Sequence, residues 1–239
     1  MRSYVRREVY DFKGSFMILS EDKKIYLTAV SKQNIEQLRQ WRNNPELRQF
    51  FREYREISKE TQEKWFEEKV LGDPNQINFE IHDNESGKLI GHCGIFYIKW
   101  VYGTGEFGIY IGDNNFRGKG YGKSSLISLV NYGFETLSLH RIFAEVYSNN
   151  DAIKLYKKIG FKQEGILRQH VYKNGKYLDA YMIGLLKDEW SSLKENQKEQ
   201  KENNFPDKTK IFEKGYCQIC GRKLNRRDWC LNCDGWDMT

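Results

Sequence analysis

The sequence has no long hydrophobic run and no export-type leader. Because no segment of about 18 consecutive apolar residues occurs among the 239 residues, no membrane-spanning helix is expected. The first residues, MRSYVRREVYDF, are basic but lack an apolar core, so they do not predict a secretory signal. We therefore expect a cytoplasmic protein with no membrane partner.

The net charge is small and histidines are few. Lys and Arg together exceed Asp and Glu by only six, which suits an anionic ligand without indicating nucleic-acid binding. The four histidines are scattered and form neither a catalytic triad nor a metal-ligand spacing. The content of 39% hydrophobic and 30% charged residues is that of a globular protein. Composition says nothing about the oligomeric state.

A glycine-rich stretch at residues 116–125, FRGKGYGKSS, is the most distinctive feature. It follows an apolar run and precedes apolar residues at helical spacing, which predicts a strand, a loop and a helix. Glycine backbone and the free N–H groups of a helix start can bind a pyrophosphate. The spacing G-x-G-x-G differs from the dinucleotide fingerprint and from the P-loop. A flexible basic turn is the alternative.

A second motif follows at residues 141–161, RIFAEVYSNNDAIKLYKKIGF. Its pattern predicts a strand over 141–147 and a helix that one of Asn149, Asn150 or Asp151 caps and Gly160 ends. Together the two stretches resemble the GNAT superfamily of acetyl-CoA-dependent N-acetyltransferases over residues 16–190. The matching positions are Arg117-x-x-Gly120-x-Gly122 and Asn149-x-x-Ala152-Ile153-x-x-Tyr156-x-x-x-Gly160-Phe161.

The resemblance implies an α/β (α+β) fold with a mixed, mostly antiparallel sheet and helices on both faces. It also implies acetyl transfer from acetyl-CoA to a primary amine. The expected cofactor-binding residues are Phe107, Ile109, Ile111, Arg117, Gly118, Lys119, Gly120, Tyr121, Gly122, Lys123, Asn149 and Tyr156. For Asn149, a simple helix cap is an equal alternative.

Two catalytic residues follow from the resemblance. Tyr156 matches the general-acid tyrosine of the family, which protonates the sulfur of the coenzyme; a core tyrosine is the alternative. Glu106 begins a predicted strand from which the family often directs a carboxylate at the acceptor amine. A solvated glutamate at the strand end is the competing interpretation, and Glu145 on the next strand is a rival base.

Acceptor specificity is expected in residues 41–56, WRNNPELRQFFREYRE, where arginines alternate with aromatics. Arginine binds phosphate or carboxylate, so Arg42, Asn43 and Arg52 are candidate acceptor-binding residues. WRNNPELRQF is similar to a segment of acetyltransferases for nucleotide-linked amino sugars, and WRN-x-P also occurs in ribosomal-protein N-terminal acetyltransferases. A polyamine acceptor and an ordinary solvated helix surface are alternatives. A non-catalytic acyl-CoA-binding or nucleic-acid-associated module is a reading from another class.

The cysteines cluster in the last stretch, where two C-x-x-C pairs are formed by Cys217, Cys220, Cys230 and Cys233. Without an export signal this pattern favours one structural zinc over two disulfides. We therefore predict an extension (1–15), a GNAT domain (16–190), a polar linker (191–210) and a zinc-ribbon-like module (211–239). The basic loop between the cysteine pairs could contact nucleic acid, although a solvated loop is favoured.

Overall fold

The computed structural model describes residues 16–203 and residue 223. Backbone contacts divide the chain into two units, Met1–Lys187 and Asp188–Thr239. The strands are β1 (Met17–Leu19), β2 (Ile25–Ala29), β3 (Ile77–Asp83), β4 (Leu89–Lys99), β5 (Thr104–Ile111), β6 (Arg141–Tyr147), β7 (Lys162–Lys173) and β8 (Lys176–Leu186). The helices are α1 (Ile35–Asn43), α2 (Pro45–Arg48), α3 (Lys59–Trp65), α4 (Tyr121–Asn131), α5 (Ala152–Ile159) and α6 (Lys187–Asn203).

All eight strands join one sheet in the order β1-β2-β3-β4-β5-β6-β8-β7. Neighbouring strands are antiparallel except β5 and β6, which are parallel. The parallel pair has only three register partners, Thr104 with Arg141, Gly105 with Ile142 and Glu106 with Phe143. Beyond Glu106 the two strands separate. The predicted mixed, mostly antiparallel sheet is confirmed.

Helices cover both faces of the sheet. Residues of β4 show this, because successive strand residues point to opposite sides. On β4, the His92 ring lies against Trp65 at the end of α3, with ring centroids 5.9 Å apart. Ile95 points to the other face, where a Cβ placed on Gly133 would lie 2.8 Å from its Cδ1 atom. Gly133 belongs to a π-helical turn, Tyr132–Thr136, that continues α4. The α1 and α3 side and the α4 side therefore enclose separate layers of core.

Local signals end and start the helices as the sequence indicates. The Ser58 hydroxyl oxygen accepts a hydrogen bond from the Thr61 N–H at the start of α3. Asn44 ends α1, and its side-chain oxygen accepts from the Glu46 N–H to start α2. Gly160 ends α5 with φ of 122°, a conformation that favours glycine. These contacts are short-range, which is why the sequence could reveal them.

The predicted linker differs from the structure, and the predicted extension and tail fall outside the described residues. Helix α6 runs to Asn203, so residues 191–203 of the predicted linker are helical. The extension 1–15 and the four tail cysteines, Cys217, Cys220, Cys230 and Cys233, lie outside the described residues. None of the described helices combines the length and apolar character needed to cross a bilayer.

Candidate active site

The separation of β5 and β6 creates a cleft in the middle of the sheet. On the β6 side, residues 107–111 of β5 have no strand partner in the described chain. Their backbone groups are therefore available to an extended ligand with amide groups of its own. The binding of the pantetheine arm of coenzyme A by Phe107, Ile109 and Ile111 remains a prediction, with which this geometry is compatible.

The glycine loop lies between the end of β5 and the start of α4. Gly118 and Gly120 have φ of 72° and 88°, which only glycine adopts without strain. The Lys24 ammonium donates to the Lys119 carbonyl oxygen at 2.7 Å and holds the loop from one side. Gly120 precedes the first residue of α4, so the first N–H groups of that helix are free for an anion. The loop fits a pyrophosphate.

Arg117 fastens the loop to the strand before it. Its Nε donates to the Ile111 carbonyl oxygen at 2.9 Å and one Nη donates to the Gly112 carbonyl oxygen at 3.1 Å. Its other Nη lies 3.4 Å from the Glu46 carboxylate. The side chain thus has a structural task, and its contact with the cofactor remains a prediction.

Tyr156 lies on the α4 side of the cleft, in an aromatic cluster. Its ring is edge-on to Phe107 with centroids 5.1 Å apart, and its centroid lies 6.3 Å from that of Phe161. Burial raises the pKa of Tyr156 to about 12. The hydroxyl makes no hydrogen bond with any described residue. Tyr156 is therefore a core tyrosine whose hydroxyl is protonated at neutral pH and has no partner in the described chain, and its role as general acid remains a prediction.

The helix-cap alternative for Asn149 is wrong, because Asp151 is the N-cap residue of α5 and makes no side-chain cap hydrogen bond. The Asn150 side-chain oxygen accepts a hydrogen bond from the Ala152 N–H at 3.0 Å. Asn149 is exposed and makes no contact of this kind with the described chain. Its side chain is available, and its contact with the cofactor remains a prediction.

The two candidate bases meet on the opposite side of the sheet from Tyr156. Arg52 joins them: its Nη2 donates to Glu106 Oε1 at 2.5 Å and to Glu145 Oε2 at 3.2 Å. The side chains of Glu106 and Glu145 are only 13% and 12% exposed. The interpretation of Glu106 as a solvated strand-end residue is therefore wrong. Burial lowers the pKa of Arg52, but hydrogen bonding to Glu106 and both negative charges outweigh burial and raise it.

An open cavity of about 310 Å³ adjoins this cluster. It is lined by Arg52, Tyr54, Glu145, Tyr147, His170, Val171, Tyr172 and Lys173. His170 Nε2 lies 3.5 Å from Glu145 Oε1, and the Lys173 ammonium donates to the Phe51 carbonyl oxygen at 2.8 Å. The sequence did not predict that residues of β7 line this cavity, because the scattered histidines give no local signal. Only the hairpin folding back onto β6 brings His170 to Glu145.

The remaining acceptor candidates differ in role. The amide of Asn43 is bound to the backbone of Ile57, donating to its carbonyl and accepting from its N–H, both at 2.9 Å. It thus fixes the α2–α3 connection, a role that the sequence did not indicate. Arg42 lies over the Phe51 ring, 5.3 Å from its centroid. Its contact with an acceptor remains a prediction.

Known proteins share this architecture. A family model described as an acetyltransferase (GNAT) domain matches residues 24–162. The uncharacterized N-acetyltransferase p20 of Bacillus licheniformis is 38% identical over 114 residues, which are 47% of this chain and 64% of that protein. The chain thus spans less than two thirds of the length of p20.

Two further similarities concern polyamine enzymes. The spermidine N(1)-acetyltransferase of Vibrio cholerae is 29% identical over 144 residues, 55% of this chain and 83% of that protein. The crystal structure of spermidine N-acetyltransferase from Vibrio cholerae in complex with CoA and spermine matches with a TM-score of 0.66 and 26% identity. That match covers 70% of this chain and 98% of the other.

Proposed function

Because the chain belongs to the GNAT family of acetyltransferases, we propose that it transfers an acetyl group from acetyl-CoA to a primary amine bound at Glu106 and Glu145. One observation carries the choice of site: the Arg52 guanidinium is held by both carboxylates at the point where β5 and β6 separate. Two carboxylates that bind one cation can receive an ammonium group in the same place. The Arg52 side chain is about half exposed, so an ammonium group can displace its guanidinium from the two carboxylates.

The residues around the cleft supply the proton transfers. An alkyl ammonium has a pKa of about 10.4, so it must lose a proton before it can attack a thioester carbonyl. Glu106 is placed to take that proton, directly or through water. Tyr156, protonated at neutral pH, is placed to give a proton to the departing sulfur. When bound, acetyl-CoA supplies the activated acetyl group, held by the β5 backbone and by the glycine loop.

The acceptor is the finer part of the proposal. The two carboxylates, and relatives named as spermidine acetyltransferases, support a polyamine or another cationic amine. A nucleotide-linked amino sugar or a peptide N-terminus would also present a primary amine, but needs a partner for its anionic or carbonyl groups. A non-catalytic acyl-CoA-binding module would hold the coenzyme without using the carboxylates.

A panel assay tests the proposal. The purified chain is incubated with acetyl-CoA and with spermidine, an amino-sugar nucleotide or an N-terminal peptide, and thiol release is measured. We expect amine-dependent release with at least one class, and the acetylated amine in the mass spectrum. The matched control is the Glu106→Gln, Glu145→Gln double variant. Coenzyme binding without release by the wild type would establish the non-catalytic alternative.

We also propose a cytoplasmic location and a small zinc module for residues 211–239. The support for zinc is the donor set: Cys217, Cys220, Cys230 and Cys233 provide four thiolates, enough for a closed tetrahedral site. Such a segment is too short to fold by burial alone, so metal binding would supply most of its folding free energy. The acetyltransferase residues lie upstream, so we expect their chemistry to be independent of the metal.

Metal analysis by mass spectrometry tests the zinc module. Protein purified without added zinc should carry about one zinc per chain, the stoichiometry of one tetrahedral thiolate site. A chain truncated after Lys194 should lose the metal and keep its acetyl transfer. Protein without bound metal, or with two disulfides among the four tail cysteines, would contradict the proposal.

A further inference from the structure

Three of the four arginines in residues 41–56 already have partners within the protein. The Arg48 guanidinium donates to the Tyr54 carbonyl oxygen. Arg52 binds Glu106 and Glu145. Arg55 pairs with Glu53 at 2.9 Å. Arg42 differs from these three, because it makes no hydrogen bond or salt bridge with any described residue.

The surroundings of Arg42 are aromatic and uncharged. Its guanidinium lies over the Phe51 ring, and that ring is edge-on to Tyr110 with centroids 5.2 Å apart. His92 lies 5.7 Å from Tyr110, centroid to centroid. Burial, with the nearby charge of Arg42, lowers the pKa of His92 to about 3, so this imidazole is neutral. The cation thus has no anionic partner among the described residues around it.

The nitrogen atoms of the Arg42 side chain differ in burial. Its Nε atom is completely covered and has no hydrogen-bond partner, whereas neither Nη atom is completely covered without a partner. Covering part of a guanidinium without a partner is unfavourable for folding. A guanidinium that is unfavourable for stability and whose donors have no hydrogen-bond partner in the described chain is suited to an oxyanion.

The position of Arg42 relates it to the proposed amine site. Tyr110 and Glu106 share one face of β5, because they are four residues apart. This separation is about 13 Å along the strand. Phe51 contacts both Arg42 and Tyr110, and its chain neighbour Arg52 contacts Glu106. The two places therefore lie along one face of β5, at a spacing that one elongated molecule can span.

We propose that Arg42 binds a carboxylate or phosphate group at the far end of the acceptor. The inference rests on the proposed function, since it takes the reacting amine to lie at Glu106 and Glu145. Among the acceptor classes considered above, it selects a primary amine with an oxyanion roughly 10–13 Å away over a polyamine, the spacing being set by four strand residues.

The test uses acceptors of one length that differ in their terminal charge. These are 8-aminooctanoate and 8-aminooctyl phosphate, with octylamine and 1,8-diaminooctane as neutral and cationic counterparts. Specificity constants are measured for the wild type, for Arg42→Met and for Lys64→Gln. The last is a charge-matched control, because Lys64 is exposed and pairs only at 3.6 Å with Glu68. Unfolding midpoints and coenzyme A affinities are measured on the same proteins.

We expect the wild type to prefer an anionic acceptor over octylamine by about tenfold or more, the effect of one charge-assisted hydrogen bond. Arg42→Met should abolish this preference, while Lys64→Gln keeps it. Coenzyme A affinity should not change, and the unfolding midpoint of Arg42→Met should stay equal or rise. The carboxylate and phosphate arms show which oxyanion is preferred.

Three outcomes would overturn the inference. The first is a preference for 1,8-diaminooctane in the wild type. The second is an anion preference that persists in Arg42→Met. The third is a loss of coenzyme A affinity in that variant, which would place Arg42 at the cofactor instead. Acetylation of octylamine with any of these results leaves the proposed function standing, whereas no acetylation of any amine in either panel overturns both.

Discussion

Arg52 is bound to Glu106 through two hydrogen bonds, Nη2 to Oε1 at 2.5 Å and Nη1 to Oε2 at 3.1 Å. A third, from Nη2 to Glu145 at 3.2 Å, ties the same guanidinium to the neighbouring strand. Arg52 lies on the connection between α2 and α3, so these bonds also hold that connection over the cleft. The side chain that was expected to bind an anionic acceptor is instead an internal counterion for two carboxylates.

Removal of this counterion should favour cationic acceptors. In Arg52→Gln, Glu106 and Glu145 gain unneutralised charge, so we expect the KM for spermidine to fall about two- to fivefold. That range corresponds to the roughly 0.5–1 kcal/mol of a partly exposed ion pair. Steady-state kinetics with spermidine provide the measurement.

The control for this prediction is Lys32→Gln, which removes a cation from an exposed pair with Glu67. Its KM for spermidine should equal that of the wild type. If Arg52→Gln instead raises the KM of every amine tested, Arg52 contacts the acceptor directly.

Glu106 and Glu145 should contribute unequally to catalysis. Glu106 is the last residue of β5 paired with β6, and the next residue, Phe107, contacts Tyr156. We therefore expect Glu106→Gln to lower kcat by about 100-fold or more, the usual contribution of a general base. Glu145→Gln should act mainly on the KM of the amine. The measurement is kcat and KM at saturating acetyl-CoA over a range of pH.

Glutamine is close in size and shape to glutamate, so each variant should fold, and circular dichroism serves as the control. An equal loss of kcat in both variants would mean that the carboxylates act as one unit.

The contrast between Gly120 and Glu106 shows what the sequence could reveal. The glycine loop, the helix ends and the β7–β8 turn depend on neighbouring residues, and their residue types follow from backbone conformation. The two motifs also indicated the GNAT family, and the match of residues 24–162 to the model of that family confirms this prediction. The Arg52–Glu106 pair joins residues 54 positions apart. No local pattern encodes such a contact, so the sequence indicated Arg52 as a residue available to bind the acceptor.

Tyr156→Phe tests the proton donor with little change in packing. The substitution keeps the aromatic contacts with Phe107 and Phe161 and removes only the hydroxyl, which has no partner in the described chain. We expect kcat to fall about 100-fold, typical of a general acid, with little change in the KM for acetyl-CoA. The assay must use an acceptor for which chemistry limits turnover. Wild-type turnover in the variant would leave Tyr156 as a core residue only.

The same hydroxyl should make stability depend on alkaline pH. Tyrosine in an unfolded chain has a pKa near 10, and burial raises that of Tyr156 to about 12. Because the folded pKa is the higher one, the contribution is complete below about pH 10 and is lost as pH rises toward 12. Two pH units correspond to roughly 2–3 kcal/mol.

Denaturant unfolding of the wild type and of Tyr156→Phe checks this pH dependence. Other groups titrate in both proteins, so the difference between the two unfolding free energies isolates Tyr156. We expect this difference to shift against the wild type between pH 9 and pH 11.5. A constant difference over that interval would mean that the Tyr156 hydroxyl ionises as readily in the folded protein as in the unfolded chain.

A pair of glycines separates backbone strain from cofactor binding. Gly120 and Gly175 have φ of 88° and 81°, and a Cβ on either would meet no protein atom closer than 3.5 Å. Alanine at either position should therefore cost about 1–2 kcal/mol of stability, the strain of the left-handed conformation.

Gly120 lies in the loop that fits a pyrophosphate, whereas Gly175 lies in the turn between β7 and β8. Only Gly120→Ala should weaken coenzyme A binding, by about tenfold, equal to the loss of roughly one charge-assisted hydrogen bond. Calorimetric titration with coenzyme A gives the affinities, and thermal unfolding gives the strain. Equal affinity in a folded Gly120→Ala variant, or equal weakening in Gly175→Ala, would show that the glycine loop does not hold the pyrophosphate.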